Sequence, residues 1–289
     1  MGRTETVDRR RVIITGVGYK ESAAARNVDD IFASKHVKPN IGASVALSAA
    51  IAGNAVVLVA RTAAKLERIK SAIAARLPKA VITCEPTDVL DPEAVLKLVD
   101  SIPGDLEIDL VQSAGLGAGS FKTEGDNVFF PVEETSLEMP LLEFESVVRS
   151  LLVLVQSFLP RLKRQKRSNL VVVASMSGIR AFPFGFSHCA AKGGLHQAIR
   201  SLSLELSRFG VRVCEVNPGI VNTGLYDSPA VDTVVRRISR SFDYDYAQGK
   251  LPAMEAPAVA DAVMLCLQSK SHILSINMVA DGQFPHHGA

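Results

Sequence analysis

Seven short apolar, β-branched runs separated by stretches of helical period constrain this chain more than any other feature. The runs fall at 12–15, 55–60, 81–84, 109–112, 170–175, 211–216 and 273–279. They are largely continuous rather than alternating, and a continuously apolar strand is one buried on both faces, as in a parallel sheet. Helix-period segments run through 41–53, 62–77, 91–101, 141–165, 190–209 and 256–269. In the fifth, Leu195, Ile199, Leu202 and Leu206 form one apolar stripe, with Gly210 placed to end it. Asp91 and Pro92 open the third as N-cap and first helical residue. Strand–helix repetition predicts right-handed crossovers and a three-layer α/β fold built on a doubly wound parallel sheet of about seven strands.

The 289 residues suit one large α/β domain, 1–289, with no internal boundary. At 47% hydrophobic content both faces of such a sheet can be buried. A net charge of +2 argues against a nucleic-acid or anionic-membrane partner. The basic cluster Arg161, Lys163, Arg164, Lys166 and Arg167 reads as a solvated helix C-terminus. The cysteines Cys84, Cys189, Cys214 and Cys266 form no CxxC pair; free buried thiols are expected, which fits a reducing, cytoplasmic setting. The first residues lack the apolar core of a signal peptide, and no stretch is apolar for long enough to span a bilayer. The six histidines show no metal-ligand spacing, so no metal is expected. Two segments break the rhythm: 19–39, polar and irregular after the first strand, and 116–140, rich in glycine and acids.

Candidate chemistry gathers at strand ends. The first strand runs into Thr15-Gly16-Val17-Gly18, and Asn40-Ile41-Gly42 later opens a helix, a pattern that lets backbone N–H groups approach a pyrophosphate. The second strand ends in Ala60-Arg61, where an acid would bond a ribose 2′-hydroxyl; a guanidinium there suits a 2′-phosphate. Ser175 closes the fifth strand, and His188 and Lys192 share a helix face four residues apart. Asn217-Pro218-Gly219-Ile220-Val221-Asn222-Thr223 follows the sixth strand as a sharp turn.

At these positions the chain resembles the short-chain dehydrogenase/reductase family, over nearly its whole length. Thr15-Gly16 and Ile41-Gly42 match the family's cofactor loop, with Asn40 in place of its middle glycine and 19–39 inserted. Asp88, in Thr87-Asp88-Val89, matches the adenine-binding aspartate. Gln112-Ser113-Ala114-Gly115 keeps half of the motif after strand four, with Ala114 and Gly115 beside the adenosine ribose. Ser175 and Lys192 match the catalytic serine and lysine, and Thr223 the carboxamide-binding threonine. The resemblance implies a Rossmann-type fold, a small-molecule carbonyl or alcohol substrate, and a homodimer or homotetramer formed through the helices at 141–165 and 190–209. The implied cofactor set is Thr15, Gly16, Gly18, Asn40, Ile41, Gly42, Arg61, Asp88, Val89, Ala114, Gly115, Lys192, Pro218, Gly219, Val221 and Thr223. Arg61 favours NADP(H) over NAD(H). The segment 220–255 corresponds to the family's substrate loop, and Phe182, Phe184 and Phe186 suggest an apolar or aromatic substrate.

The departures carry as much information. The family's tyrosine would stand thirteen residues after Ser175 and four before Lys192; that residue is His188. The helix-four asparagine that holds a water on the lysine is missing, since 141–168 contain no asparagine. Lys192 is expected to favour a neutral imidazole, which can still donate one N–H or accept a proton. Three roles stay open for His188: acid/base of an oxidoreductase with the altered set Ser175, His188 and Lys192; substrate orientation in a non-redox reaction on the same scaffold; or bystander, with Tyr226 as an alternative donor. The alternative to redox catalysis is an NADP(H)-binding protein acting as sensor, scaffold or specialised biosynthetic enzyme.

Overall fold

In the computed structural model, residues 10–22, 25, 30–104, 106–115, 131–224 and 252–283 are described. The seven-stranded sheet consists of β1 (Arg11–Thr15), β4 (Ala55–Ala60), β5 (Ile82–Pro86), β6 (Ile108–Gln112), β7 (Ser168–Val173), β8 (Val211–Pro218) and β9 (Ser275–Met278). Its spatial order is β5-β4-β1-β6-β7-β8-β9, and every pairing is parallel. The order reverses beside β1, which makes the C-terminal ends of β1 and β6 the crevice where such sheets receive ligands.

The apolar runs become the sheet's interior because each faces a helical layer on both sides. One layer holds α1 (Ile41–Ile51), α2 (Ala63–Arg76) and α7 (Ala256–Gln268), packed with Ile14, Leu58 and Val216. The other holds α3 (Pro92–Ser101), α5 (Ser150–Leu162) and α6 (Phe186–Leu206), packed with Ile13, Leu110 and Val172. Neighbouring strand residues thus serve opposite cores, as the two-residue period requires. Among the described residues no helix is long and apolar enough to cross a membrane.

Several boundaries differ from the sequence reading. The 19–39 segment is not wholly irregular: β2 (Tyr19–Glu21) and β3 (Val37–Pro39) pair antiparallel as a short ribbon. Buried Ile31 joins the core, and Asp30 pairs with Arg76 of α2 at 2.7 Å, so the insertion is docked by long-range contacts that no local pattern encodes. The segment at 141–165 is three pieces: α4 (Met139–Phe144), a π-helical turn (Glu145–Arg149), and α5, which ends at Leu162. The fifth expected helix, α6, starts at Phe186 rather than 190 and carries His188 and Lys192 within its first two turns. Cys214 and Cys266 are buried as expected, whereas Cys84 and Cys189 are only partly so. Arg161 donates to the carbonyls of Val99 and Ile102, satisfying the end of α3 instead of pointing into solvent. Asp91 caps α3 by accepting from Glu93 and Ala94, and Gly210 takes the left-handed φ of 74° beyond α6, both in line with the sequence.

Candidate functional site

The turn after β1 is built by close approach. Gly16 has φ 74°, and a Cβ on it would lie 2.5 Å from backbone atoms of Ala114 after β6. Only glycine meets both demands. Gly42, in the first turn of α1, packs on Gly16 in turn; a Cβ there would sit 2.9 Å from its carbonyl oxygen. Thr15 is wholly buried, and its Oγ1 accepts from the Ala114 N–H at 3.3 Å. It therefore ties the ends of β1 and β6 together and does not face the crevice.

Asn40 repairs the interruption made by the insertion. Its Oδ1 accepts from the N–H groups of Gly18 at 3.0 Å and Ala43 at 2.9 Å, and its Nδ2 donates to the Gly16 carbonyl at 2.7 Å. Its backbone N–H donates to the Gly18 carbonyl at 3.0 Å. One side chain thus caps α1 and holds the glycine turn against it, so the chain leaves at Gly18 and returns at Asn40 with the strand–turn–helix geometry intact. Asn40→Ala should lower stability by about 2 kcal/mol, the upper range for an N-cap deletion, because two further bonds are lost with the cap. Denaturant unfolding measures this directly.

Above the turn lies a cavity of about 470 Å³ at the C-terminal edge of the sheet. It brings together ten of the residues singled out from sequence: Gly16, Gly18, Asn40, Ile41, Arg61, Asp88, Val89, Ala114, Gly115 and Thr223. Asp88 is exposed there, its Oδ1 accepting from the Leu90 N–H at 3.0 Å. The insertion contributes Tyr19 and Lys20, and α2 contributes Lys65; none of the three was singled out in the sequence. Tyr19 is buried beneath the Lys65 ammonium and the Arg68 guanidinium, 5.4 and 5.1 Å from its ring centre, and its hydroxyl accepts from Arg68 at 2.9 Å. Lys20 donates to the Gly224 carbonyl at 3.1 Å. Arg61, Lys20 and Lys65 give this wall a positive character opposite a single acid, Asp88.

Pro218, Gly219 and Val221 stand apart from the lining. Gly219 donates its N–H to the Met278 carbonyl at 2.7 Å and packs on the Gln283 side chain, which also receives the Ile220 N–H at 2.9 Å. Val221 is buried and bridges to Met254. This turn therefore anchors the returning C-terminal strand. Tyr226 and most of 220–255 lie outside the described residues. A second depression, at the opposite ends of the strands and lined by Arg10, Asp109 and Arg212 among others, contains none of the candidate residues.

The remaining candidates gather deeper, around α6. Ser175 lies two residues past β7 in extended backbone; its Oγ accepts from the Ser177 N–H at 3.1 Å and donates to Ser177 Oγ at 3.0 Å. The following turn packs on α6 so closely that a Cβ on Gly178 would lie 2.5 Å from the Lys192 carbonyl oxygen. The Lys192 ammonium sits 4.0 Å from where Gly115 would carry a Cβ, which joins this cluster to the cavity. Burial pushes the Lys192 amine down from 10.5 to about 8, with the Glu143 carboxylate opposing the shift. His188 is mostly buried, its ring 6.4 Å from that of Phe182.

Glu143 is a further group that the sequence did not single out. It stands on α4 at 2% exposure, with Oε1 3.5 Å from His188 Nδ1. A carboxylate thus stands beside the imidazole, whereas the sequence directed attention to Lys192 alone. Glu143, Ser146, Val147, Ser150 and Leu151 recur at the spacing of one helix face and all point inward, across a π turn at Glu145–Arg149. Ser146 and Ser150 donate to the carbonyls of Glu143 and Ser146, at 2.8 and 2.6 Å, satisfying backbone groups around the turn. Gly194 lets α4 approach α6, since a Cβ there would meet the Phe144 ring at 2.9 Å. Among the described residues no cluster of three or more histidine, cysteine or acidic side chains could hold a metal.

Comparison with known proteins bears on the fold and the family. The family profile described as short chain dehydrogenase matches residues 38–230. An uncharacterized oxidoreductase of Staphylococcus saprophyticus is 29% identical over 236 residues, covering 81% of this chain and 88% of its own. An NADPH-bound short chain oxidoreductase from Pseudomonas aeruginosa PAO1, described as containing an atypical catalytic center, superposes with a TM-score of 0.72 at 22% identity, covering 96% of this chain and 98% of that one. An alcohol dehydrogenase from Thermococcus sibiricus, complexed with 5-hydroxy-NADP, gives 0.69 at 21% identity, with coverage of 96% and 100%. With the profile spanning well over half of its length and the parallel sheet, glycine turn and crevice in place, this chain belongs to the short chain dehydrogenase family.

Proposed function

We propose that the protein is an NADP(H)-dependent oxidoreductase acting on a carbonyl/alcohol pair, with Ser175, His188 and Lys192 as its catalytic set. The observation that carries this reading is the cavity over the Gly16 turn, positively lined by Arg61, Lys20 and Lys65 and continuous through Gly115 with Lys192. The glycine turn and the start of α1 fit a pyrophosphate, because backbone N–H groups there meet the positive end of a helix. Asp88 and Val89 would flank the adenine, Ala114 and Gly115 its ribose, and Arg61 the 2′-phosphate. Lys192 would hold the nicotinamide ribose and Thr223 the carboxamide. When bound, the dinucleotide supplies or accepts the hydride.

The chain's own groups handle the oxygen and its proton. Ser175 Oγ bonds the substrate oxygen. His188 gives that oxygen a proton in reduction and removes it in oxidation, the work of a general acid/base within hydrogen-bond reach. Phe182, beside the imidazole, favours an apolar face on the substrate. The NADPH bound to the Pseudomonas aeruginosa neighbour and the NADP analogue bound to the Thermococcus sibiricus neighbour support the cofactor class.

The test is a titration with NADPH and, separately, NADH, following nicotinamide emission; the chain has no tryptophan to interfere. Tight NADPH binding and weak NADH binding are expected. Arg61→Ala should weaken NADPH ~10–100-fold, the range for losing hydrogen bonds to a charged group, and leave NADH unchanged. Equal affinity for both cofactors, or an Arg61→Ala variant that binds NADPH as before, would overturn the assignment.

A further inference from the structure

We propose that Glu143 is the positioning residue for His188: its buried carboxylate receives the Nδ1 proton of the imidazole and leaves Nε2 to face the substrate oxygen. The inference rests on the reading of His188 as the proton carrier and adds a residue that the family motifs, as matched in this sequence, do not contain.

Four observations converge. Glu143 is 2% exposed, and a buried carboxylate lacking compensation is strongly disfavoured. Neither of its oxygens has a hydrogen-bond donor among the described residues. The hydroxyls closest in sequence do not serve it: Ser146 and Ser150 are engaged with backbone carbonyls. The imidazole of His188 lies 3.5 Å from Oε1, and the Lys192 ammonium is close enough to interact with the same carboxylate. A spacing of 3.5 Å is an ion-pair contact slightly longer than a hydrogen bond, and catalytic contacts commonly tighten once substrate is present.

The chemistry requires such a partner. A tyrosine hydroxyl has one proton and one reactive atom, so orientation alone defines its role. An imidazole has two nitrogens, and either can carry the proton of the neutral ring. A carboxylate facing Nδ1 selects the tautomer with Nε2 open and stabilises the imidazolium formed when Nε2 takes a proton, the logic by which an aspartate serves the histidine of a serine hydrolase. In the reductive direction, the Nε2–H bond of the imidazolium breaks and an O–H bond forms on the substrate oxygen. The substrate carbon takes the hydride from the nicotinamide cofactor. His188 is left neutral, with its remaining proton on Nδ1 facing Glu143. Oxidation of the alcohol runs these steps in reverse.

The experiment compares full-length wild type, Glu143→Gln and Glu143→Met, each labelled with ¹⁵N-histidine and saturated with NADPH. The His188 ring-nitrogen signals are assigned by their loss in His188→Gln. In the wild type the neutral ring should carry its proton on Nδ1. In Glu143→Gln the side-chain amide can donate to Nδ1, and in Glu143→Met the acceptor is gone, so the proton should move to Nε2 in both. Turnover should fall ~100-fold with KM nearly unchanged, and Glu143→Asp should recover part of it. Glu143→Met also removes the buried charge, so it keeps the test available if Glu143→Gln folds poorly. A tautomer unchanged in both variants would overturn the proposal, even with turnover lowered by some other route. A tautomer that shifts in a protein turning over no carbonyl would uphold the positioning role while refuting the redox reading.

Discussion

His188→Ala should lower kcat for carbonyl reduction ~10²–10⁴-fold while leaving the Kd for NADPH within a few-fold of wild type. The size is the usual contribution of a positioned acid or base. The selectivity follows from placement: His188 does not line the cofactor cavity but stands behind it, between Phe182 and Glu143. Alanine cannot transfer a proton, so the loss belongs in kcat, the signature of an interaction made in the transition state rather than in the ground state. Turnover that survives unchanged would transfer the proton role to another donor, and Tyr226 would be the next substitution. His188→Tyr separates the remaining alternative. If it confers generic ketone reduction that the wild type lacks, the wild-type site is adapted to a non-redox reaction on the same scaffold.

Lys192→Ala should affect both steps: weaker NADPH binding, and kcat/KM lower by ~10²–10³-fold. The ammonium beside Gly115 is placed to bond ribose hydroxyls, and each hydrogen bond to a charged group contributes about 1.5–3 kcal/mol. Its removal also withdraws a positive neighbour from Glu143, which alters the electrostatics around His188. Unchanged kinetics would remove Lys192 from the site. The variant carries a second, independent signature. The Lys192 pKa falls from 10.5 to about 8 on folding, chiefly through burial. The unfolded chain therefore binds more protons between those values, and the stability attributable to this residue rises as pH climbs from about 8 toward 10.5. Denaturant midpoints across that range should show the rise in wild type and lack it in Lys192→Ala.

What the chain declares in one dimension is what local chemistry dictates. Continuous apolar runs placed β1, β4, β6, β7 and β8 to within a few residues, because a strand buried on both faces is apolar at most consecutive positions. Asp91 and Gly210 marked helix ends through capping chemistry that depends on neighbouring residues only. Gly16, Arg61, Asp88, Ala114 and Gly115 were readable because each follows a strand directly, and strand ends in such a sheet meet at one crevice. Tertiary structure decided the rest. That Asn40 closes the glycine turn depends on the ribbon returning the chain beside Gly18, which no local pattern announces. That Thr15 ties strands together, and that Gly219 holds Gln283, depends on elements distant in sequence. Lys20 and Lys65 reach the cavity because Tyr19 docks the insertion on α2. Nothing local marks Glu143; the packing of α4 on α6, with a close approach at Gly194, buries its carboxylate against His188. The sequence by itself determined the sheet and the crevice, because both follow from patterns along single segments, and only packing between segments decided which side chains share the interior of the site.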